Sequence, residues 1–186
     1  MSKPAAQLPS AAARQHALMG ARTRRLAKPR RQAEPVASIA CLVCEVGGSL
    51  YALPIARAAR VAPFRRASPM PTANPALLGV MGRAGVFYHV FDLGRLVGSG
   101  GAHEGGHVVL LRGAAPAIAL RVDAAARVAD LVELAPDATS RMRASHPAVK
   151  GFARPIEAGL FEGRMISLLD VDQLTSVAAH GRIEGE

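Results

Sequence analysis

Short apolar runs punctuated by glycine and proline dominate this chain from about residue 36 onward. Ile39-Ala40-Cys41-Leu42-Val43-Cys44 and Leu50-Tyr51-Ala52-Leu53 are joined through Gly47-Gly48, a pattern that predicts a β-hairpin. Pro54 cannot donate to a strand ladder and closes the second run. Pro63, Pro69, Pro71 and Pro75 predict an extended connection over residues 62–75. Strands are expected at 77–81 and 86–91, flanking a turn at Gly82-Arg83-Ala84-Gly85. Asp92 ends the second of these and suits the cap of a short helical turn through Leu96. The glycine-rich stretch 98–106 reads as a flexible joint. A second hairpin is then expected from 108–111 and 117–120, a further strand at 128–134, irregular chain over 135–155, and a last hairpin from Leu160-Phe161 and 165–169 around Glu162-Gly163. Leu53, Ile55, Val80, Val90, Leu120, Val122, Leu168 and Leu169 are the expected core.

Two stretches recur in the same order. Residues 52–61 and 119–128 share A-L-x-[IV]-x-x-A-A-R-V, and residues 85–96 and 163–174 share G-x-x-x-x-[VL]-x-D-[LV]-x-x-L. An ordered internal repeat implies two similar units, which no single motif could imply. Many short strands with Gly and Pro punctuation place both units in an all-β barrel class. The repeats disagree where Pro54 matches Arg121, Ala56 matches Asp123 and Arg57 matches Ala124. Those positions are where the two units are expected to present unlike surfaces.

Composition sharpens this picture only in places. Hydrophobic residues make up 50% of the 186, but aromatics only 4%, so the core must be aliphatic. No apolar run reaches the ~18 residues of a membrane helix, and direct membrane insertion is not expected. The net charge of +9 is uneven: residues 1–35 carry eight cations against Glu34 alone, which leaves +2 for the rest. Residues 1–35 read as a disordered basic tail, with an organelle transit peptide or a mistaken translation start as the alternatives. The remainder divides into a domain over 36–177, with intertwined subdomains at 36–98 and 106–177, and a flexible end at 178–186.

Candidate chemistry is sparse. His103-Glu104-Gly105-Gly106-His107 fits H-E-x-x-H, but a metal site of that kind needs a helix to place both histidines on one face. Two of its five residues are glycine, each costing about 1 kcal/mol in a helix relative to alanine. Cys41 and Cys44 match C-x-x-C inside a strand-like run, where alternation points them to opposite faces. No second C-x-x-C completes a zinc site, so two buried apolar cysteines in a reducing compartment are expected. The glycines at 98–106 lead into a strand, whereas a phosphate loop leads into a helix. Asp92 and Asp170 hold equivalent places in the two repeats, which suits a repeated capping job. No catalytic site, cofactor or metal is expected.

The segments Tyr51-Ala52-Leu53-Pro54-Ile55, Leu78-Gly79-Val80-Met81, Val90-Phe91-Asp92-Leu93 and Arg164-Met165-Ile166-Ser167-Leu168-Leu169-Asp170, in this order and spacing, resemble the CheW-like domain of bacterial chemotaxis adaptors. The resemblance runs from about Ala40 to Val177. It implies two five-stranded SH3-like β-barrels sharing a core, and a scaffold without catalysis. It also implies two partners in the cytoplasm at membrane-associated receptor arrays: the regulatory domain of a CheA-type histidine kinase, and the cytoplasmic tip of a chemoreceptor. Gly82, Arg83, Ala84 and Gly85 are the candidates for the kinase-facing or ring-facing turn. Ala58, Arg60 and Val61, with Ala125 and Arg127, are the candidates for the receptor groove.

The chain departs from the family pattern. The Asn-Leu-Arg-Gly usual in the first turn is Gly82-Arg83-Ala84-Gly85, so the family arginine falls on Ala84 unless Arg83 replaces it. The usual proline of the next strand is His89. Positions often Val and Glu are Ala58 and Arg60, which removes an apolar anchor and inverts a charge. Partners that match these changes, or weak binding to ordinary ones, are expected. A CheW-like scaffold of a pilus-motility or other non-flagellar system is the alternative. A small nucleic-acid-binding barrel is the alternative of another class; the near-neutral charge outside the tail and the shortage of aromatic residues for stacking speak against it.

Overall fold

A computed structural model of the chain describes residues 37–100, 105–135 and 146–180. The basic segment 1–35 and residues 181–186 lie outside the described residues. Ten strands follow in order: β1 (Ile39–Val46), β2 (Ser49–Pro54), β3 (Ala58–Pro63), β4 (Leu77–Arg83), β5 (Val86–Asp92), β6 (His107–Leu111), β7 (Ile118–Val122), β8 (Ala124–Glu133), β9 (Val149–Pro155) and β10 (Ile166–Leu169). Helix α1 (Leu93–Leu96) follows β5, and α2 (Val171–His180) follows β10.

The strands do not group by sequence. One sheet is a closed barrel, β1-β2-β10-β9-β8; the other has the order β3-β6-β7-β5-β4. The first hairpin, β1–β2, therefore belongs with the strands of the second repeat, and β6–β7 with those of the first. Each repeat donates its hairpin to the other. The registers carry the same symmetry. β5 runs parallel to β7 with Val90 beside Ala119, and β10 runs parallel to β2 with Leu168 beside Ala52. Val90 and Leu168 are matched positions of one repeated motif, Ala52 and Ala119 of the other.

Only the first sheet closes through its strands. In the second, β3 and β4 are both edges, and the gap is spanned by one antiparallel bridge. The amides of Ser68 and Val80 each donate to the other's carbonyl at 2.8 Å. Gly79 makes this possible: its φ is +136°, and a Cβ there would lie 2.1 Å from the Ser68 carbonyl oxygen.

Strand alternation sends side chains to three apolar clusters. Cys41, Val43, Ala52 and Leu168 fill the closed barrel. Ala62, Val90, Val108, Leu110 and Ala119 form a cluster on one side of the second sheet. Leu42, Cys44, Leu53, Val109, Leu120 and Leu174 belong to a cluster shared by both sheets. Cys41 and Cys44 are thus both fully buried on opposite faces of β1, as alternation requires. Burial pushes the Cys44 thiol up to about 12 and raises that of Cys41 as well.

Several expectations need correction. Ile55 is 39% exposed, because a 3-10 turn over Ile55–Arg57 replaces the strand period where the chain crosses between sheets. Val80 is only half-buried, since β4 is an edge strand covered by a single bridge. Residues 135–155 are not wholly irregular: β9 is a paired strand whose apolar alternation is obscured by Lys150, Gly151 and Arg154. Leu160 and Phe161 form no strand. Phe161 and Glu162 have left-handed φ values of 57° and 53°, and β10 pairs instead with β9 and β2. Residues 178–180, expected to be flexible, end α2.

Candidate functional site

Asp92 and Asp170 hold the same place at the ends of β5 and β10, and both cap. The Asp92 carboxylate accepts from the Arg95 amide at 2.9 Å, and that of Asp170 accepts from the amides of Asp172 and Gln173 at 3.0 and 3.1 Å. Their own amides donate to Ala76 and Ala148, each at 2.8 Å. This exposes a third repeat that the sequence reading missed, Asn74-Pro75-Ala76-Leu77 against His146-Pro147-Ala148-Val149. Asn74 Oδ1 accepts from the Ala76 amide at 2.9 Å, and His146 Nδ1 accepts from the Ala148 amide at 3.1 Å. The shared Pro-Ala followed by an aliphatic residue was the available signal. Burial lowers the His146 pKa, which favours the neutral ring this acceptor role needs.

The mismatched repeat positions divide. Arg121 presents no surface. It is 2% exposed and donates to Asp123 Oδ1 at 2.7 Å, to Asp92 Oδ2 at 3.4 Å and to the Gly105 carbonyl at 3.1 Å. Asp123 also accepts from the Gly47 amide at 2.7 Å, so this network ties the β1–β2 turn to the ends of β5 and β7. Arg57 does reach the surface, where it pairs with Asp172 at 2.6 Å.

The kinase- or ring-facing candidates lie at the end of one hairpin. Gly82 and Arg83 complete β4, and Arg83 pairs with Val86, which leaves Ala84-Gly85 as a two-residue turn. Both have positive φ, 48° and 78°. Such turns favour Asn-Gly or Asp-Gly, and alanine in that region carries a penalty of about 1–2 kcal/mol. Gly82 lies opposite Phe87, and a Cβ at Gly82 would meet the ring in ordinary van der Waals contact, at 3.5 Å, so sterics do not demand glycine there. Phe87 is 75% exposed, and sequence reasoning did not single it out. Its signal was an aromatic residue two positions beyond a two-residue turn, opposite a glycine.

The groove candidates are spread over both sheets. Ala58, Arg60 and Val61 lie on β3, and Ala125 and Arg127 on β8. Ala58 packs against the shared cluster. Arg60 pairs with Leu110, whereas Val61 pairs with Val109 of the shared cluster, so the two neighbours project to opposite sides. Ala125 is half-buried beside Cys44, and Arg127 is exposed beside Val43. Of the H-E-x-x-H stretch, His103 and Glu104 lie outside the described residues. Gly105 and Gly106 have φ of 78° and 88°, and His107 opens a strand, so this half is not helical. Among the described residues no group of three or more His, Cys, Asp or Glu is placed to hold a metal.

Two interleaved five-stranded sheets, related by an internal repeat and packed on one apolar cluster, define a β-scaffold class. The chain belongs to the CheW-like domain family, whose model matches residues 40–179. That is a family of non-enzymatic scaffolds of chemotaxis signalling. The fold is similar to that of the scaffolding protein TtCheW from Thermoanaerobacter tengcongensis. The TM-score is 0.62 at 20% identity, covering 78% of this chain and 97% of that one. No curated protein matches by sequence. No helix among the described residues is long and apolar enough to cross a membrane.

Proposed function

We propose that this chain is an adaptor that couples chemoreceptors to a CheA-type histidine kinase in the cytoplasm, at membrane-associated arrays. The observation that carries this reading is the family match over 140 consecutive residues, 40–179, which span both sheets. Two similar but unlike units suit a protein that holds two different partners. The hairpin end at Gly82, Arg83, Ala84 and Gly85 is assigned to the kinase or a ring neighbour. Ala58, Arg60, Val61, Ala125 and Arg127 are assigned to the receptor. Which chemosensory system it serves is a matter of which kinase and receptor it binds. Isothermal titration of the chain against the cognate kinase regulatory domain and a receptor-tip fragment tests the reading. Saturable binding to both is expected; binding to neither overturns it.

A further inference from the structure

The near-neutral charge of the folded part hides a segregation by sheet. Residues 46–91 contain no Asp or Glu, yet include Arg57, Arg60, Arg65, Arg66 and Arg83. Across all five strands of the β3-β6-β7-β5-β4 sheet the only carboxylate is Asp92, which is 1% exposed and engaged by Arg121. Arg60, Arg65 and Arg66 are exposed and Arg83 is half-buried, and no acid pairs with any of the four among the described residues. The closed barrel and its connections hold the exposed acids, including Asp130, Glu133, Glu157 and Glu162.

The topology gathers part of this charge at one place. The Ser68–Val80 bridge is antiparallel, so the chain preceding Ser68, with Arg65 and Arg66, heads toward the end of β4 that holds Arg83. Beside that end, on β5, lie the exposed Val86 and Phe87, paired with Arg83 and Gly82. Phe87, 75% exposed, sits opposite Gly82 across the hairpin, so no side chain on its cross-strand partner covers it.

We infer that this cationic end of the β4–β5 hairpin docks an acidic protein surface: Asp or Glu side chains around an apolar group that packs on Phe87. The inference rests on the adaptor reading and adds the chemistry of the partner. Unpaired like charges raise association with an oppositely charged surface and suppress other partners, while a central aromatic residue supplies the short-range energy. A single exposed aromatic ring buries too little apolar surface to hold a protein in lipid. Phe87 is also the only aromatic among the exposed large apolar residues described, so no stacking ladder for single-stranded nucleic acid is built.

Three variants, the double Arg65→Glu/Arg66→Glu, Arg83→Glu and Phe87→Ala, would be titrated beside the unchanged chain. The ligands are the kinase regulatory domain, the receptor-tip fragment, a peptide of alternating Glu and Leu, anionic phosphatidylserine vesicles and single-stranded DNA. The expected result is that one protein partner and the Glu-Leu peptide bind with strong salt dependence. Charge reversal should weaken both by at least about tenfold, and Phe87→Ala by about tenfold. The other protein partner, bound elsewhere, should be unaffected. If both partners bind unchanged to all variants, the inference falls and the adaptor reading stands. If neither partner binds but the peptide does, with the same losses, the adaptor reading falls and the acidic-surface inference stands. Charge-dependent binding confined to vesicles or DNA overturns the inference, as does binding of none of the ligands.

Discussion

Gly79 stands where three requirements coincide: an edge strand, a positive φ and the Ser68 carbonyl against its α-carbon. Gly79→Ala cannot keep both the backbone conformation and the Ser68–Val80 bridge. The expected loss is about 2 kcal/mol or more of unfolding free energy by urea denaturation. His146 offers a pH test. Its burial lowers its pKa, so the unfolded chain binds the proton more readily. The contribution is present above the usual His value of 6.5 and is lost as pH falls below it through the folded value. Stability should therefore begin to fall as pH drops below about 6.5. His146→Asn copies Asn74, the matched acceptor in the other repeat, and should flatten that part of the profile while the turn is kept. Asp92→Ala leaves Arg121 buried with Asp123 as its remaining carboxylate, and removes a helix cap. About 2 kcal/mol should be lost in the same denaturation assay, from the cap and the weaker of the two contacts to Arg121. The cap was legible in the sequence because capping is a local job of Asp92 and its next three residues. Arg121 was not, because its partners depend on a parallel register between β5 and β7.

At the scale of elements, the two capped helices differ in length: α1 ends at Leu96 and α2 continues to His180. Val171, Leu174 and Ala178 are buried at helical spacing, so packing sustains α2 beyond its first turn. Asp170→Ala should cost about 1 kcal/mol of stability, measured by thermal or urea unfolding, with the helix still present by circular dichroism. Strands with apolar alternation and clear turn residues, such as β1, β2 and β5, were legible. β9 was not, because a glycine and two cations occupy a strand whose stability comes from neighbours on both sides. The hairpin end proposed as a docking surface was legible only in part. The turn residues announced themselves, but the exposure of Phe87 depends on the pairing that puts a glycine, Gly82, opposite it.

For the whole molecule, the exchange of hairpins makes each sheet a joint product of both repeats. Residues 37–100 alone would hold β1–β2 without β8, β9 and β10, and β3–β5 without β6 and β7. Neither that fragment nor residues 105–180 should unfold cooperatively by itself. Mixing the two fragments should restore strand dichroism and a single transition. Independent cooperative folding of either fragment would contradict the topology.

The sequence by itself determined the all-β class, the two repeated units, the β1–β2, β4–β5 and β6–β7 hairpins, the capping aspartates and the inward cysteines. Each of these follows from residues close together in the chain, through strand alternation, turn chemistry or a recurring motif. Only the tertiary structure decided which hairpin joins which sheet, that Arg121 is interior, that Ile55 is not, and that Arg65, Arg66, Arg83 and Phe87 share an end of one acid-poor sheet. Those facts rest on contacts between distant segments, and a strand's hydrophobic period carries no record of which neighbour it will pair with.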